Sequence, residues 1–261
     1  MSFDEYIEPI IVSNYCIRLL ENEKELRQYQ DLRYKHLILA FDPKKADNAD
    51  KDATDDNIGY DKETSQICCF YNNPETNEQE IVGGYILMRF KKEDAFCKAT
   101  LKYDLSKLFE QHKMEILETT RAVTDPNHRN SVVIGLLWEG MKIYAKKYNL
   151  RFIIGTMSFH GIDPLVYKDA ASYLYHYYLM PEDIMVCPVD TENAFYHNII
   201  PKENLDKTAA ISQLPPLLKS FLKLGAEVGT GFYIDHDLNT VETLAILDMQ
   251  KSQGYGKHPL K

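Results

Sequence analysis

Four residues that could do chemistry lie close together in "ILETTRAVTDPNHRN", Ile116 to Asn130: Glu118, Arg121, His128 and Arg129. A positioned carboxylate such as Glu118 can take a proton from a reacting group. A guanidinium such as Arg121 or Arg129 can hold a carboxylate or a phosphate in a two-point fork. The stretch opens with branched and apolar residues, which predicts a strand, and breaks at Asp125-Pro126. A long apolar-periodic segment, "VVIGLLWEGMKIYAKKY", follows, with Val133, Leu136, Leu137, Met141 and Tyr144 on one helical face. Asn130 or Ser131 is the expected N-cap, and Lys146 and Lys147 fall at the end that favours cations. The free N–H groups of such a helix start, beside Arg129, make an anion site. The bland alternative is a capped helix with a surface arginine. Strict alternation would send Glu118 and Arg121 to opposite faces of the strand, and a β-bulge between them would bring them together.

The remaining elements must position that stretch. "YCIRLL" reads as a first strand and "NEKELRQYQDLRYKHLILAF" as a helix. A polar, acidic loop, residues 42–64, comes next. "QICCFY" and "IVGGYILMRF" form a hairpin across "NNPETNEQE", and a short helix lies near "LSKLFEQ". "RFIIGTMSF" is a buried strand that continues the strand–helix–strand unit as a parallel crossover. "DPLVYKDAASYLYHYYL" and "LPPLLKSFLKLGA" are helices. "EVGTGFYID" and "TVETLAILD" make a second hairpin. The order predicts an α+β fold: a mixed, mostly antiparallel, twisted sheet with helices on both faces. A single domain is expected over residues 1–249, followed by a polar C-terminal tail, residues 250–261.

Bulk properties bound the function. The chain has 261 residues, 44% hydrophobic and 26% charged, with a net charge of −9. Such a balance argues against a nucleic-acid-binding face. Five cysteines, Cys16, Cys68, Cys69, Cys97 and Cys187, fit no zinc spacing, and Cys68-Cys69 read as small core residues. No metal site is expected. The acidic loop misses the EF-hand offsets, and His128, His160 and His176 share no ligand spacing. No secretory leader or membrane span is visible, so a cytoplasmic protein is expected.

"LETTRAVTDPNHRNSVVIGLLWEGMKIYA", "GTMSFHGIDP" and "LPPLLKSFLKLGAEVGTGFYIDHDLNTVETLAILD" together resemble the ornithine N-acyltransferase group of the GNAT superfamily, related to the acyl-homoserine-lactone synthases. The likeness runs from about Tyr15 to Asp248. It implies a GNAT-like acyltransferase fold. It also implies transfer of a fatty acyl group, typically 3-hydroxyacyl, from acyl carrier protein to the α-amine of an amino acid such as ornithine, giving a lyso-aminolipid. Glu118 and Arg121 resemble the family's catalytic acid and base. Arg33, Asp61 and Ser158 fall at substrate-binding positions. Arg129, Asn130, Ser131 and Val132 fall where the donor's phosphate is held. No permanently bound cofactor is implied. The expected donor is an acyl-phosphopantetheine, with acyl carrier protein favoured over acyl-coenzyme A because Val132 and Ile134 stand where coenzyme A-binding loops carry small residues. A lipid-like product could bring the enzyme to a membrane surface without any span.

The implied chemistry is direct attack of a neutral amine on a thioester, with Glu118 as proton acceptor, or else as a structural partner of Arg121. Tyrosines such as Tyr167 and Tyr173 offer protons to the leaving thiolate without singling one out. Lysine groups at Lys219 and Lys223, or at Lys142, Lys146, Lys147 and Arg151, are candidate carrier-docking surfaces. Two other functions fit the same residues: an acyl-homoserine-lactone synthase-like enzyme using S-adenosylmethionine, and a GNAT-like binding or regulatory protein without turnover.

Overall fold

The computed structural model describes residues 5–41, 61, 64–90, 98–111, 115–129, 131–189, 192–196 and 199–252. Most of the acidic loop, Asn130 and the tail beyond Ser252 lie outside the described residues. The chain begins with β1 (Ile10–Val12), β2 (Tyr15–Leu19), α1 (Glu23–Arg33), a π-helical turn over Tyr34–Ile38 and α2 (Leu39–Phe41). Then come β3 (Ser65–Asn72), β4 (Gln79–Phe90), α3 (Lys98–Lys102), β5 (Tyr103–Asp104) and α4 (Ser106–Gln111). Next are β6 (Ile116–Thr124), α5 (Ser131–Lys147), β7 (Phe152–His160) and α6 (Lys168–Tyr178). Last are β8 (Cys187–Pro188), β9 (Ala194–Phe195), α7 (Lys207–Gln213), α8 (Pro216–Lys223), β10 (Glu227–Val228), β11 (Phe232–Asp235) and β12 (Thr240–Asp248). The expected order is present. The short pieces β1, β5, β8, β9 and α7 were not legible, because segments of two to seven residues carry too little periodicity.

Backbone proximity divides the chain into two compact units: Met1–Arg89 with Thr119–Leu150, and Phe90–Glu118 with Arg151–Lys261.

In the first unit the strands run in the order β1-β2-β3-β4-β6, with β1–β2, β2–β3 and β3–β4 antiparallel. Helix α1 starts where the Asn22 side chain accepts from the Glu25 N–H at 3.0 Å, and acidic Glu23 and Glu25 sit in the first turn, where the helix dipole favours them. It buries Leu26, Tyr29 and Leu32 in a core with Cys68, Phe70, Ile81, Ile86, Met88 and Val123. Helix α5 buries Val133, Leu137, Trp138, Met141 and Tyr144. Cys68 and Cys69 are fully buried core thiols, as their sequence context suggested, and burial pushes the Cys69 thiol up to about 12.

In the second unit β7 and β12 pair antiparallel over their full nine residues, from Phe152↔Asp248 to His160↔Thr240. Strand β11 follows β12, β9 follows β11, and β10 also pairs with β12. The first residues of β6 pair parallel to β7, with Leu117 opposite Ile153 and Glu118 opposite Ile154. One sheet face packs Ile116, Phe152, Ile154, Leu244 and Ile246 against Ala99, Tyr103, Leu105, Leu108 and Phe109. Residues 250–252 are held by Asp248, whose carboxylate accepts from the Gln250 N–H at 3.0 Å. Among the described residues no helix is long and apolar enough to cross a membrane.

Gly84 is required by a close approach. A Cβ there would lie 2.8 Å from the Ile67 carbonyl oxygen, the Cys68 sulfur and Tyr29 Cε2. Removing backbone freedom normally stabilises, by a few tenths to about 1 kcal/mol. Overpacking against a backbone oxygen costs about 1–3 kcal/mol and wins. Gly84→Ala is therefore expected to lower unfolding free energy by about 1–2 kcal/mol, read from urea denaturation.

Acid sensitivity follows from the ion pairs. Burial alone would raise the carboxyls of Glu25, Asp235 and Asp248, but Arg18, Lys102 and Arg151 beside them outweigh it and hold each below its ordinary value. A carboxyl depressed in the folded state stabilises above its unfolded pKa of about 4 and loses that contribution as pH falls through the folded value. Urea midpoints measured by circular dichroism are expected to hold between about pH 7 and 5 and to fall progressively below about pH 4.

Candidate active site

Glu118 comes from the opening of β6, where Ile116 and Leu117 anchor the strand in an apolar core. Its residue surface is only 2% exposed. The pairing with Ile154 puts Glu118 on the face that β7 uses for Ile154, Thr156 and Ser158. The next strand places Glu242 opposite Ser158 and Leu244 opposite Thr156. Along this face the side chains change from apolar, at Phe152, Ile154, Leu244 and Ile246, to polar, at Thr156, Ser158, Glu242 and Thr240.

A charged network closes the polar end. Lys102 Nζ donates to Glu242 Oε2 at 2.7 Å and to the Asp235 carboxylate. Ser158 Oγ and Thr240 Oγ1 both donate to Glu242 Oε1 at 3.2 Å. The Tyr103 hydroxyl donates to the Glu242 carbonyl oxygen at 3.0 Å. Burial works against the charge on Lys102, but Glu242 and Asp235 outweigh it and raise its pKa. Ser158 is among the residues expected from the sequence, whereas Lys102, Asp235 and Glu242 are not. The available signal was Glu242 itself, an acid within the apolar "TVETLAILD".

Arg121 lies in the first unit and stands at φ +53°, in the left-handed region that non-glycine residues avoid at a cost of about 1–2 kcal/mol. The backbone conformation of β6 is therefore irregular at Arg121. The Arg121 carbonyl oxygen accepts from the Tyr29 hydroxyl at 2.9 Å, and Gly84 leaves Tyr29 room to lie there. Observed strain of this kind is concentrated at functional positions.

Arg33 and Asp61 are brought together, but with each other. Arg33 is fully buried, and its Nη1 and Nη2 donate to the two Asp61 oxygens at 2.8 and 2.7 Å. Gln30 Nε2 donates to Asp61 Oδ2 at 2.8 Å, and Gln66 Nε2 to its backbone oxygen at 2.9 Å. Four hydrogen bonds thus fix Asp61 at the foot of α1.

At the other end of β6, Asp125 caps the turn Pro126–His128 by accepting from the Asn127 N–H at 2.8 Å. Arg129 is exposed, and its Nε donates to the Thr124 carbonyl at 3.2 Å. Val132 is 46% exposed in the first turn of α5. Asn130 and the Ser131 side chain lie outside the described residues. His128 meets the Tyr15 hydroxyl at 3.1 Å through Nδ1, which fits the structural role expected of it. Of the candidate docking cations, Lys142 is paired with Glu139 and Arg151 with Asp248, while Lys146 and Lys223 are exposed. A surface hollow of about 430 Å³ lined by Lys24, Asn73, Glu78 and Glu80 contains none of the candidate residues.

Residues 31–139 match the acetyltransferase (GNAT) domain family, and the mixed, mostly antiparallel sheet with its helices is a GNAT fold. The fold and the matched segment are those of acyltransferases. Over 244 residues it is 28% identical to an L-ornithine N(alpha)-acyltransferase of Rhodobacter capsulatus, covering 91% of each chain. It is equally 28% identical to an L-ornithine N(alpha)-acyltransferase of Agrobacterium fabrum, covering 91% of this chain and 82% of that one. A solved structure similar to it is FeeM, an N-acyl amino acid synthase from uncultured soil microbes, at TM-score 0.49 and 8% identity, covering 94% of this chain and 93% of that one.

Breaking a buried ion pair leaves a charge without its partner and costs about 3–5 kcal/mol. Asp61→Ala is therefore expected to lower the thermal midpoint sharply. Asp61→Ala together with Arg33→Met is expected to recover part of the loss. A stable Asp61→Ala protein with altered acceptor choice would instead mark Asp61 as a substrate contact.

Proposed function

We propose that the protein transfers a fatty acyl group, of the 3-hydroxy kind, from acyl carrier protein to the α-amine of ornithine, giving a lyso-aminolipid. The observation that carries the reading is Glu118: a nearly fully buried carboxylate on a strand face whose further positions, Thr156 and Ser158, are partly buried. The ornithine N-acyltransferases of similar sequence support the acceptor.

In the proposed reaction Glu118 takes a proton from the acceptor's α-ammonium, whose ordinary pKa is about 8. The freed nitrogen lone pair attacks the thioester carbonyl, the N–C bond forms, and the C–S bond breaks. The nitrogen gives up its second proton as the adduct collapses, and the leaving thiolate takes it up, directly or relayed by a tyrosine hydroxyl or solvent. Arg121 contributes a guanidinium suited to the acceptor's carboxylate. The start of α5, with Arg129 nearby, is suited to the single phosphate of phosphopantetheine. Val132 and Ile134 in its first turn leave no glycine to open the backbone around a diphosphate, which supports the carrier protein over coenzyme A as donor. The buried Arg33–Asp61 pair then acts as a brace for α1. The enzyme works in the cytoplasm, and the acyl chain of its product draws it to the membrane surface.

The test is product analysis by mass spectrometry, with 3-hydroxyacyl carrier protein or acyl-coenzyme A as donor and a panel of amino acids as acceptors. An N-acylornithine formed from the carrier-bound donor supports the reading, and no acylated amino acid from either donor rejects it. Glu118→Gln keeps the shape and removes the base, so kcat should fall about 10²–10⁴-fold. A fall of less than about threefold would remove Glu118 from the proton transfer.

A further inference from the structure

The acyltransferase chemistry requires one base for the α-amine. It does not require the charged network two strands away. The fold does not require it either. Two residues further along the same face, Leu244 and Ile246 join Phe152 and Ile154 in an apolar cluster. Replacing buried ion pairs by apolar side chains of similar volume is often neutral or stabilising. A network of Lys102, Asp235, Glu242, Ser158 and Thr240 at this position therefore calls for another explanation.

Its hydrogen-bond directions supply one. Glu242 is 1% exposed, and its Oε1 accepts both the Ser158 and the Thr240 protons. Its Oε2 is held by Lys102, which also engages Asp235. A serine hydroxyl has one proton and two lone pairs. Donating to Glu242 uses the proton, so the partly buried Ser158 oxygen can offer only lone pairs to anything that approaches it. Two carboxyl groups, Asp235 and Glu242, face the single ammonium of Lys102, so acids outnumber bases in the cluster. A group that meets Ser158 is selected as a cationic N–H donor and not as an anion or an alkyl end.

We propose that Lys102, Asp235 and Glu242 are positioning residues that fix Ser158 as the acceptor for the side-chain ammonium of a diamino acid, and so set the choice of ornithine. The proposal rests on the N-acyltransferase reading and deepens it. Ser158 lies four residues beyond Ile154, the strand partner of Glu118, a separation of roughly 13 Å along the sheet. A glutamate side chain and a five-carbon diamino acid, with a hydrogen bond at each end, bridge such a span. Thr156 stands between them on the same face.

The experiment compares ornithine with norvaline, the same carbon chain without the δ-amine, in wild type, Ser158→Ala, Ser158→Thr and Glu242→Gln. In wild type the kcat/KM ratio should favour ornithine. A hydrogen bond to a charged group is worth enough that the ratio should fall about 10-fold or more in Ser158→Ala and Glu242→Gln. The loss should fall on KM for ornithine and not on kcat, and Ser158→Thr should restore the ratio. An unchanged ratio in folded Ser158→Ala overturns the proposal, as does an equal loss for both acceptors. Calorimetric titration of the same two amino acids onto wild type and Ser158→Ala separates this idea from the reaction itself. Tighter binding of ornithine that Ser158→Ala abolishes supports the ammonium site even without turnover, and equal binding of ornithine and norvaline by wild type overturns it whatever the activity.

Discussion

The pairing of β7 with β12 organises the second unit. Nine consecutive partners without a slip lock each side chain to one face, because a shift by one residue would exchange the two faces. The apolar end of that face anchors the strands against α3, β5 and α4. The polar end is then obliged to place Glu242 beside Ser158. Once Glu242 is there, its carboxylate cannot remain buried alone, since an isolated charge in a low-dielectric interior is costly. Lys102 meets that need from α3, and the Tyr103 hydroxyl ties the following strand to the same position.

Charge is buried in the first unit on different terms. Arg33 and Asp61 join in a planar two-point pair, Gln30 also donates to the carboxylate, and Gln66 donates to the Asp61 backbone oxygen. Four donors on one residue leave little to offer a ligand, so the pair's effect is to hold α1 in one register. The Lys102 network differs because two acids share one base and one hydroxyl reaches a partly buried position. Both clusters are weak evidence for stability, and their value lies in specifying position.

Strand β6 joins these two regimes through its own backbone. Its first three residues are buried, and Leu117 and Glu118 pair with β7, while Arg121 adopts a left-handed conformation further on. The chain tolerates that conformation because Tyr29, itself fully buried, holds the Arg121 carbonyl, and Gly84 leaves Tyr29 room to do so. A local irregularity in a strand is thus fixed by a helix residue and a glycine that lie far from it in sequence.

The sequence alone determined the main helices and strands, since ten or more residues of apolar periodicity leave few other ways to bury a face. It also determined the buried character of Cys68 and Cys69, and the motif order that resembles N-acyltransferases. Glu118 was legible as an acid inside an apolar strand, and Ser158 through the resemblance. The partners of the candidate residues were decided only by the tertiary structure. Asp61 lies 28 residues from Arg33, and Glu242 lies 84 residues from Ser158 and 140 from Lys102. Whether a carboxylate faces a substrate, a strand neighbour or an arginine depends on strand register and helix placement. Those are set by packing between segments that share no local pattern.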